Sequence, residues 1–239
     1  IVVAASNDLM TLYLGLEMVS IPTTVLLAVS RSDGAGREAT LKYFSLSAFS
    51  SAIFLLGGSY LYGLAGTTSL PEIVTAVSNH PSNLGNIAMA LVIAGLAFRI
   101  TAVPFHFYAP DVFSGSSLPL ASLLAYLPKV AGFLALVRLM GGSHLSVGLA
   151  STVAPVLICI ALFTMTLGNA LAMVQTTWRR LLAYSSVAHT GYLLLGLVAI
   201  LVQGASEQHP GLGSPRPIFV YLAAYCVMTL GVFAALAAQ

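Results

Sequence analysis

Seven stretches of this chain are apolar for long enough to cross a bilayer, at about 3–29, 38–63, 86–103, 117–140, 151–176, 180–203 and 217–238. A hydrocarbon core about 30 Å thick needs roughly 20 apolar residues in helical form. The pattern therefore predicts an all-α fold, a polytopic membrane helix bundle over residues 1–239 with no room for a soluble domain. With 58% hydrophobic and 7% charged residues, the composition is far from the soluble average of about a quarter charged. The formal charge of +2 is small and the nine basic residues are scattered, which excludes a nucleic-acid patch and leaves the lipid bilayer as the chain's surroundings.

Gly, Pro and charge punctuate the runs. The short polar link from Arg31 to Arg37 and the longer one from Gly66 to Asn86, with Pro71 and Pro81, read as loops. The third span ends at Pro104, and residues 105–115 are too polar for a span and too apolar for a free loop. That segment reads as a broken or re-entrant piece, because irregular backbone at membrane depth is tolerated only against protein or a wet cavity. Pro128 is expected to loosen the fourth span just before Lys129. Cys159 and Cys226, 67 residues apart and without metal-ligand spacing, read as small buried apolar side chains. Arg31, Arg37, Arg179 and Arg180 fall on one side of the bundle and only Arg138 and Arg216 on the other, so the link around Asp33 reads as cytoplasmic. Ile1 in place of Met, with no short charged leader, reads as the start of a fragment of a longer chain.

Against this apolar background the ionisable residues stand out. Lys129 lies near the middle of the fourth span, where a lysine costs at least about 2.5–3.5 kcal/mol and such residues usually mark ion or proton paths. Glu17, midway along the first span, must be neutralised by a proton or a cation, and a structural ion pair is its plain alternative. Lys42 is a turn into the second span, where its stem permits snorkelling to the headgroups as readily as a functional role. Arg99, five residues before Pro104, keeps its proton and suits carboxylate pairing, so it is a permanent counter-charge and a poor relay. His106 can pass a proton between its two nitrogens or simply bond to backbone. In the sixth span Ser185 and His189 share a face, and with Tyr184 they form a second rank of candidates, for which interhelical hydrogen bonding is equally open.

The run Gly95 to Gly115, with Phe98-Arg99, Pro104-Phe105-His106 and Pro110-Asp111, resembles the signature of the chain N (chain 2) family of respiratory complex I, the proton-pumping NADH:quinone oxidoreductase. Leu14 to Glu17, Leu41 to Phe44, Pro128 to Phe133, Thr164 to Asn169, Arg180 to Ser186 and His189 to Tyr192 resemble further family stretches in the same order. The resemblance implies an antiporter-like inverted-repeat architecture with a broken helix in each repeat. On it the first four spans match the second to fifth helices of the first repeat, and the later three open the second. Carried over by position, Glu17 is the pairing carboxylate, Lys42 an auxiliary base, His106 a bridging histidine and Lys129 the central proton-carrying lysine. Arg99 departs from the family, which usually has Lys there, and so excludes any step needing a neutral amine at that position.

The resemblance further implies a non-redox subunit of an enzyme complex in the bacterial inner membrane. Its partners would be the other membrane and peripheral subunits, which would carry FMN, iron–sulfur clusters, NADH and quinone, with no cofactor on this chain. An Mrp-type sodium/proton antiporter or a membrane-bound hydrogenase subunit is the first alternative. A scaffold whose charges merely lock helices together is the second. Physically, desolvation favours the neutral form of a buried amine, the property a proton carrier needs. An opposed pair at Glu17 and Arg99 would screen Lys129 while closed and repel its proton once open.

Overall fold

The structure, a computed structural model, describes residues 1–80, 82–140, 147–204 and 215–238. Pro81 of the long link lies outside the described residues, which contain ten helices and no extended strand. These are α1 (Val2–Ala5), α2 (Leu9–Ser30), α3 (Gly34–Ala65), α4 (Leu70–Asn79), α5 (Asn83–Arg99), α6 (Ala109–Gly115), α7 (Leu118–Met140), α8 (Val147–Met173), α9 (Trp178–Gly204) and α10 (Arg216–Ala237). Six of them, α2, α3, α7, α8, α9 and α10, are long and apolar enough to cross a membrane.

Helix ends follow local chemistry. Asp8 caps α2 by accepting from the amides of Met10 and Thr11, and Asp33 caps α3 through the amide of Gly36. Gly66, at φ 69°, closes α3 in the left-handed conformation that glycine adopts without strain. The first run is thereby divided: α1 stops at Ala5, and the chain restarts as α2 after Asp8 pairs with Ser69 in an isolated antiparallel bridge.

The stretch between Gly66 and Asn86 is not all loop. Pro71 sits in the first turn of α4, where its missing N–H costs nothing, and Leu70, Ile73, Val74 and Val77 form a buried stripe at helical spacing. Pro128 also acts differently from the expectation, since α7 runs unbroken through it. One proline deletes a single rung of the ladder, and a well-packed helix keeps its course around that gap.

Contacts between the helix ends sort them into two sets. Arg31, the start of α3, the end of α6 and the start of α9 cluster at the Asp33 end, where Arg31 and Arg179 both donate to the Ser114 carbonyl. At the opposite end Arg138 donates to the Ala4 carbonyl and Leu9 N–H to Thr68. Between these ends the core is aliphatic and aromatic, with Leu12, Leu16, Val92, Leu96, Phe133, Leu136, Leu157 and Leu197 almost fully enclosed. Leu14, Met18, Val29, Phe163 and Val227 point outward and are exposed, a surface suited to lipid rather than water. Cys159 is exposed on the outer side of α8, against the expectation of burial, and Cys226 is half-buried. The outside of such a bundle is itself apolar, so a weakly polar thiol is as much at home there as inside.

Candidate functional site

At about 1.5 Å per residue the 17 residues of α5 span roughly 26 Å, short of the hydrocarbon thickness, so the helix stops inside the bundle at Arg99. Thr101 then takes φ 58°, a rare conformation for a β-branched residue, and the Val103–Pro104 bond is cis. Turns carry the chain to α6, seven residues long. Side chains from neighbouring helices satisfy the freed backbone: Thr164 accepts from the Val103 amide, Thr190 donates to the Ile100 carbonyl, and Tyr108 to that of Phe98. Gly132 of α7 permits the approach, because a Cβ there would lie 2.5 Å from Ile100 Cγ2 and 3.2 Å from Arg99 Cβ.

Arg99 turns its fork toward α2 and α3. Nη2 donates to Glu17 Oε1 at 2.6 Å and to Ser51 Oγ at 3.1 Å, while Nη1 donates to the Leu16 carbonyl at 3.0 Å. Ser51 in turn donates to Glu17, making a closed triad. The side chains are only 5% and 17% exposed, so the guanidinium and carboxylate neutralise one another where neither would be tolerated alone. Glu17 also lines a groove of about 520 Å³ between α2 and α3, together with Ser20, Thr24, Ser47 and Ser51.

Lys129 is 1% exposed and has no carboxylate within ion-pair distance among the described residues. Nζ donates to the carbonyl and, at 2.5 Å, to the hydroxyl of Ser186 on α9, and reaches Tyr225 OH on α10 at 3.4 Å. It also lies 4.8 Å from the centroid of the Tyr225 ring, a cation–π contact. Thr190 connects this shell to the break, since its hydroxyl lies 3.2 Å from the Ser186 carbonyl and 2.7 Å from that of Ile100.

The remaining candidates are more scattered. His106 is half-buried in the break with Nδ1 unpartnered among the described residues, its ring 6.4 Å from that of Tyr184. His189 Nδ1 bonds to Tyr221 OH at 2.7 Å, and its ring lies 5.1 Å from that of Tyr225. Lys42 is away from the central shell: it pairs with Glu38 at 2.6 Å and with Asp111 of α6, which also pairs with Arg180. Arg179 donates to the carbonyls of Ser114 and Ser116, so the C-terminal end of α6 is tied by two cations, Arg179 and Arg31.

Sequence reasoning missed Ser51, Ser186, Tyr225 and the Asp111–Arg180 pair. Ser186 and Thr190, four apart, announce a polar stripe on α9, but Ser185 and His189 carry the same signal one residue earlier. Tyr225 had no signal beyond being a phenol in an apolar run. Among the described residues no three His, Cys, Asp or Glu side chains converge as metal ligands.

Residues 6–238 match the profile of the NADH:quinone oxidoreductase/Mrp antiporter transmembrane family. The chain is 39% identical over 235 residues to NADH-quinone oxidoreductase subunit N of Methylobacterium nodulans, covering 98% of this chain and 46% of that protein. It is 42% identical over 234 residues to the subunit of the same name from Heliobacterium modesticaldum, covering 98% and 47%. The chain thus spans about half the length of the curated relatives it matches. Among solved structures it resembles a chain of respiratory complex I from Thermus thermophilus with bound aureothin, at TM-score 0.79 and 32% identity over 98% of this chain and 48% of that one. It also shares its fold with a chain of the Mrp complex from Dietzia, at TM-score 0.81 and 24% identity over 96% of this chain and 41% of that one.

Proposed function

Because the chain belongs to the NADH:quinone oxidoreductase/Mrp antiporter membrane family, we propose that it is a non-redox membrane subunit of an NADH:quinone oxidoreductase that translocates protons. Its work would be driven by quinone reduction in other subunits of the complex, which would hold the FMN, iron–sulfur clusters, NADH and quinone. The setting would be the bacterial inner membrane, with the Asp33 link on the cytoplasmic side and the described helices part of an inverted-repeat antiporter-like bundle. In this reading residues 1–239 form one proton-translocating module with seven membrane-crossing elements, one of them interrupted.

The observation that supports this best is Lys129, a mid-membrane lysine whose polar partners among the described residues are neutral oxygens and a ring face. An ammonium kept for structure would be given a carboxylate, because an unpaired charge in low dielectric is costly. A shell of dipoles instead lets the amine exist in both states, as a carrier requires. Glu17 and Arg99 form the switch: closed, their opposite charges largely cancel at Lys129, and opening exposes the lysine to Arg99's positive field, which drives its proton off. Arg99 acts only as a charge and relays nothing. His106 in the break would be the bridging histidine, with Tyr184 and His189 of α9 as second-rank groups, and Lys42 holds α6 from the Asp33 end.

The test is Lys129→Met in the full chain within its assembled complex. This variant keeps stem length and apolar volume while removing the titrating group. NADH-driven acidification by proteoliposomes should stop, and tightly coupled quinone reduction should slow with it, while native gels report normal assembly. Pumping and NADH oxidation at parent rates would refute the assignment. Sodium-dependent proton transport without NADH oxidation would instead place the chain with the Mrp antiporters.

A further inference from the structure

We propose that Tyr225 is the hydroxyl through which Lys129 takes up its proton, from the cavity lined by α7, α9 and α10; the inference rests on Lys129 being the carrier. Tyr225 OH now donates to Ser186 Oγ at 2.9 Å and lies 3.4 Å from Lys129 Nζ, so it meets the ammonium as an acceptor. That arrangement suits the charged lysine, whose three N–H donors face the Ser186 carbonyl, the Ser186 hydroxyl and the phenol. A neutral amine has two N–H donors and a lone pair, and the lone pair needs a donor. The carbonyl has no proton to give, and the phenol, whose hydrogen now points to Ser186 Oγ, needs only a rotation of its O–H from Ser186 to Nζ.

On its other side Tyr225 lines a cavity of about 200 Å³ with Ser185, His189 and Thr229, room for roughly six waters. Leu182, Val232 and Phe233 continue that cavity along the first turns of α9 and the last turns of α10, toward the Asp33 end. Tyr225 itself is 4% exposed and, like Ser186, both lines this space and lies within reach of Nζ. The step balances without any change in the tyrosine: hydronium in the cavity gives a proton to the phenol oxygen as the phenol's own proton passes to the Nζ lone pair, leaving water, tyrosine and ammonium. His189, held by Tyr221 beside the Tyr225 ring, faces the same space and can feed the cavity.

Two replacements in the full chain of the assembled complex test this. Tyr225→Phe keeps the ring and its packing but removes the hydroxyl, and should slow proton transfer through this subunit about a hundredfold, at the low end of what a positioned proton donor contributes. Incorporating 3,5-difluorotyrosine at position 225 keeps the hydroxyl and alters its acidity, so the pumping rate should change while assembly and detergent stability stay at parent values. A purely structural tyrosine would not register that change. Parent-rate pumping in Tyr225→Phe, beside a stalled Lys129→Met, would overturn the role of Tyr225 and leave Lys129 as carrier. Parent-rate pumping in Lys129→Met would instead remove the reading beneath it. Should Tyr225→Phe fail to assemble, an unchanged rate with the fluorinated residue would overturn the proposal.

Discussion

Removing Arg99 and Glu17 singly and together separates a lock from a switch. Arg99→Met deletes three hydrogen bonds, to Glu17, Ser51 and the Leu16 carbonyl, and strands a carboxylate only 17% exposed. Breaking a buried pair by removing one partner costs about 3–5 kcal/mol. Glu17→Gln strands the guanidinium, 5% exposed, at a similar cost. Removing both partners is often close to neutral, so the double variant should regain most of the stability that either single variant loses. Function should not return with it. For an assumed separation of about 10 Å and an effective dielectric of about 20, a lone charge would be worth about 1.7 kcal/mol at Lys129, roughly a twentyfold change in the ratio of charged to neutral lysine. The double variant has no such charge to switch. Arg99→Lys, which keeps the charge and gives up only part of the fork, should retain pumping. Disassembly temperature of the purified complex reads stability, and acidification by proteoliposomes reads function. A double variant that regains both would show the pair to be a lock alone.

Gly132→Ala should impair pumping even though every charge remains, because its Cβ would meet Ile100 Cγ2 at 2.5 Å and overpacking of this kind costs about 1–3 kcal/mol. Adding Ile100→Ala should restore activity, and failure of that rescue in a well-assembled complex would argue against the clash. Asp111→Asn weakens partly exposed pairs with Lys42 and Arg180, each worth at most about 1 kcal/mol, so disassembly temperature should barely move. Hydrogen exchange over 109–115 should nevertheless rise, and unchanged protection there would mean that the cations at the Ser114 and Ser116 carbonyls hold α6 unaided.

How far the chain could be read depended on whether meaning lay in one segment or between several. Glu17, Arg99 and Lys129 are legible singly, because a charge in a long apolar run is expensive wherever its partner lies. The segment after Arg99 announces itself through Pro104 and its mixed polarity, although the helix ends at Arg99 rather than at the proline. What surrounds Lys129 is not legible in this way. Ser186 and Tyr225 lie 57 and 96 residues beyond it, and a serine or tyrosine inside a membrane helix is ordinary enough to carry no message alone. For α4 the failure was one of weighting: two prolines outweighed a four-residue stripe at helical spacing.

The early end of α5 has an electrical consequence. Aligned peptide dipoles leave about half a negative charge at a helix C-terminus, and Arg99 is the last residue of this one. A continuous helix would carry that partial charge on toward the headgroups, where water would quench it. Stopping in the interior keeps it at the residue that bears the guanidinium, so in the proposed switch Arg99 leaving Glu17 would pass from a full counter-ion to a fractional one rather than to none. If the pair works as the proposed switch, the interruption would lower the barrier to charge separation in the middle of an insulator, and a bond otherwise permanent would be able to break and re-form on the timescale of turnover.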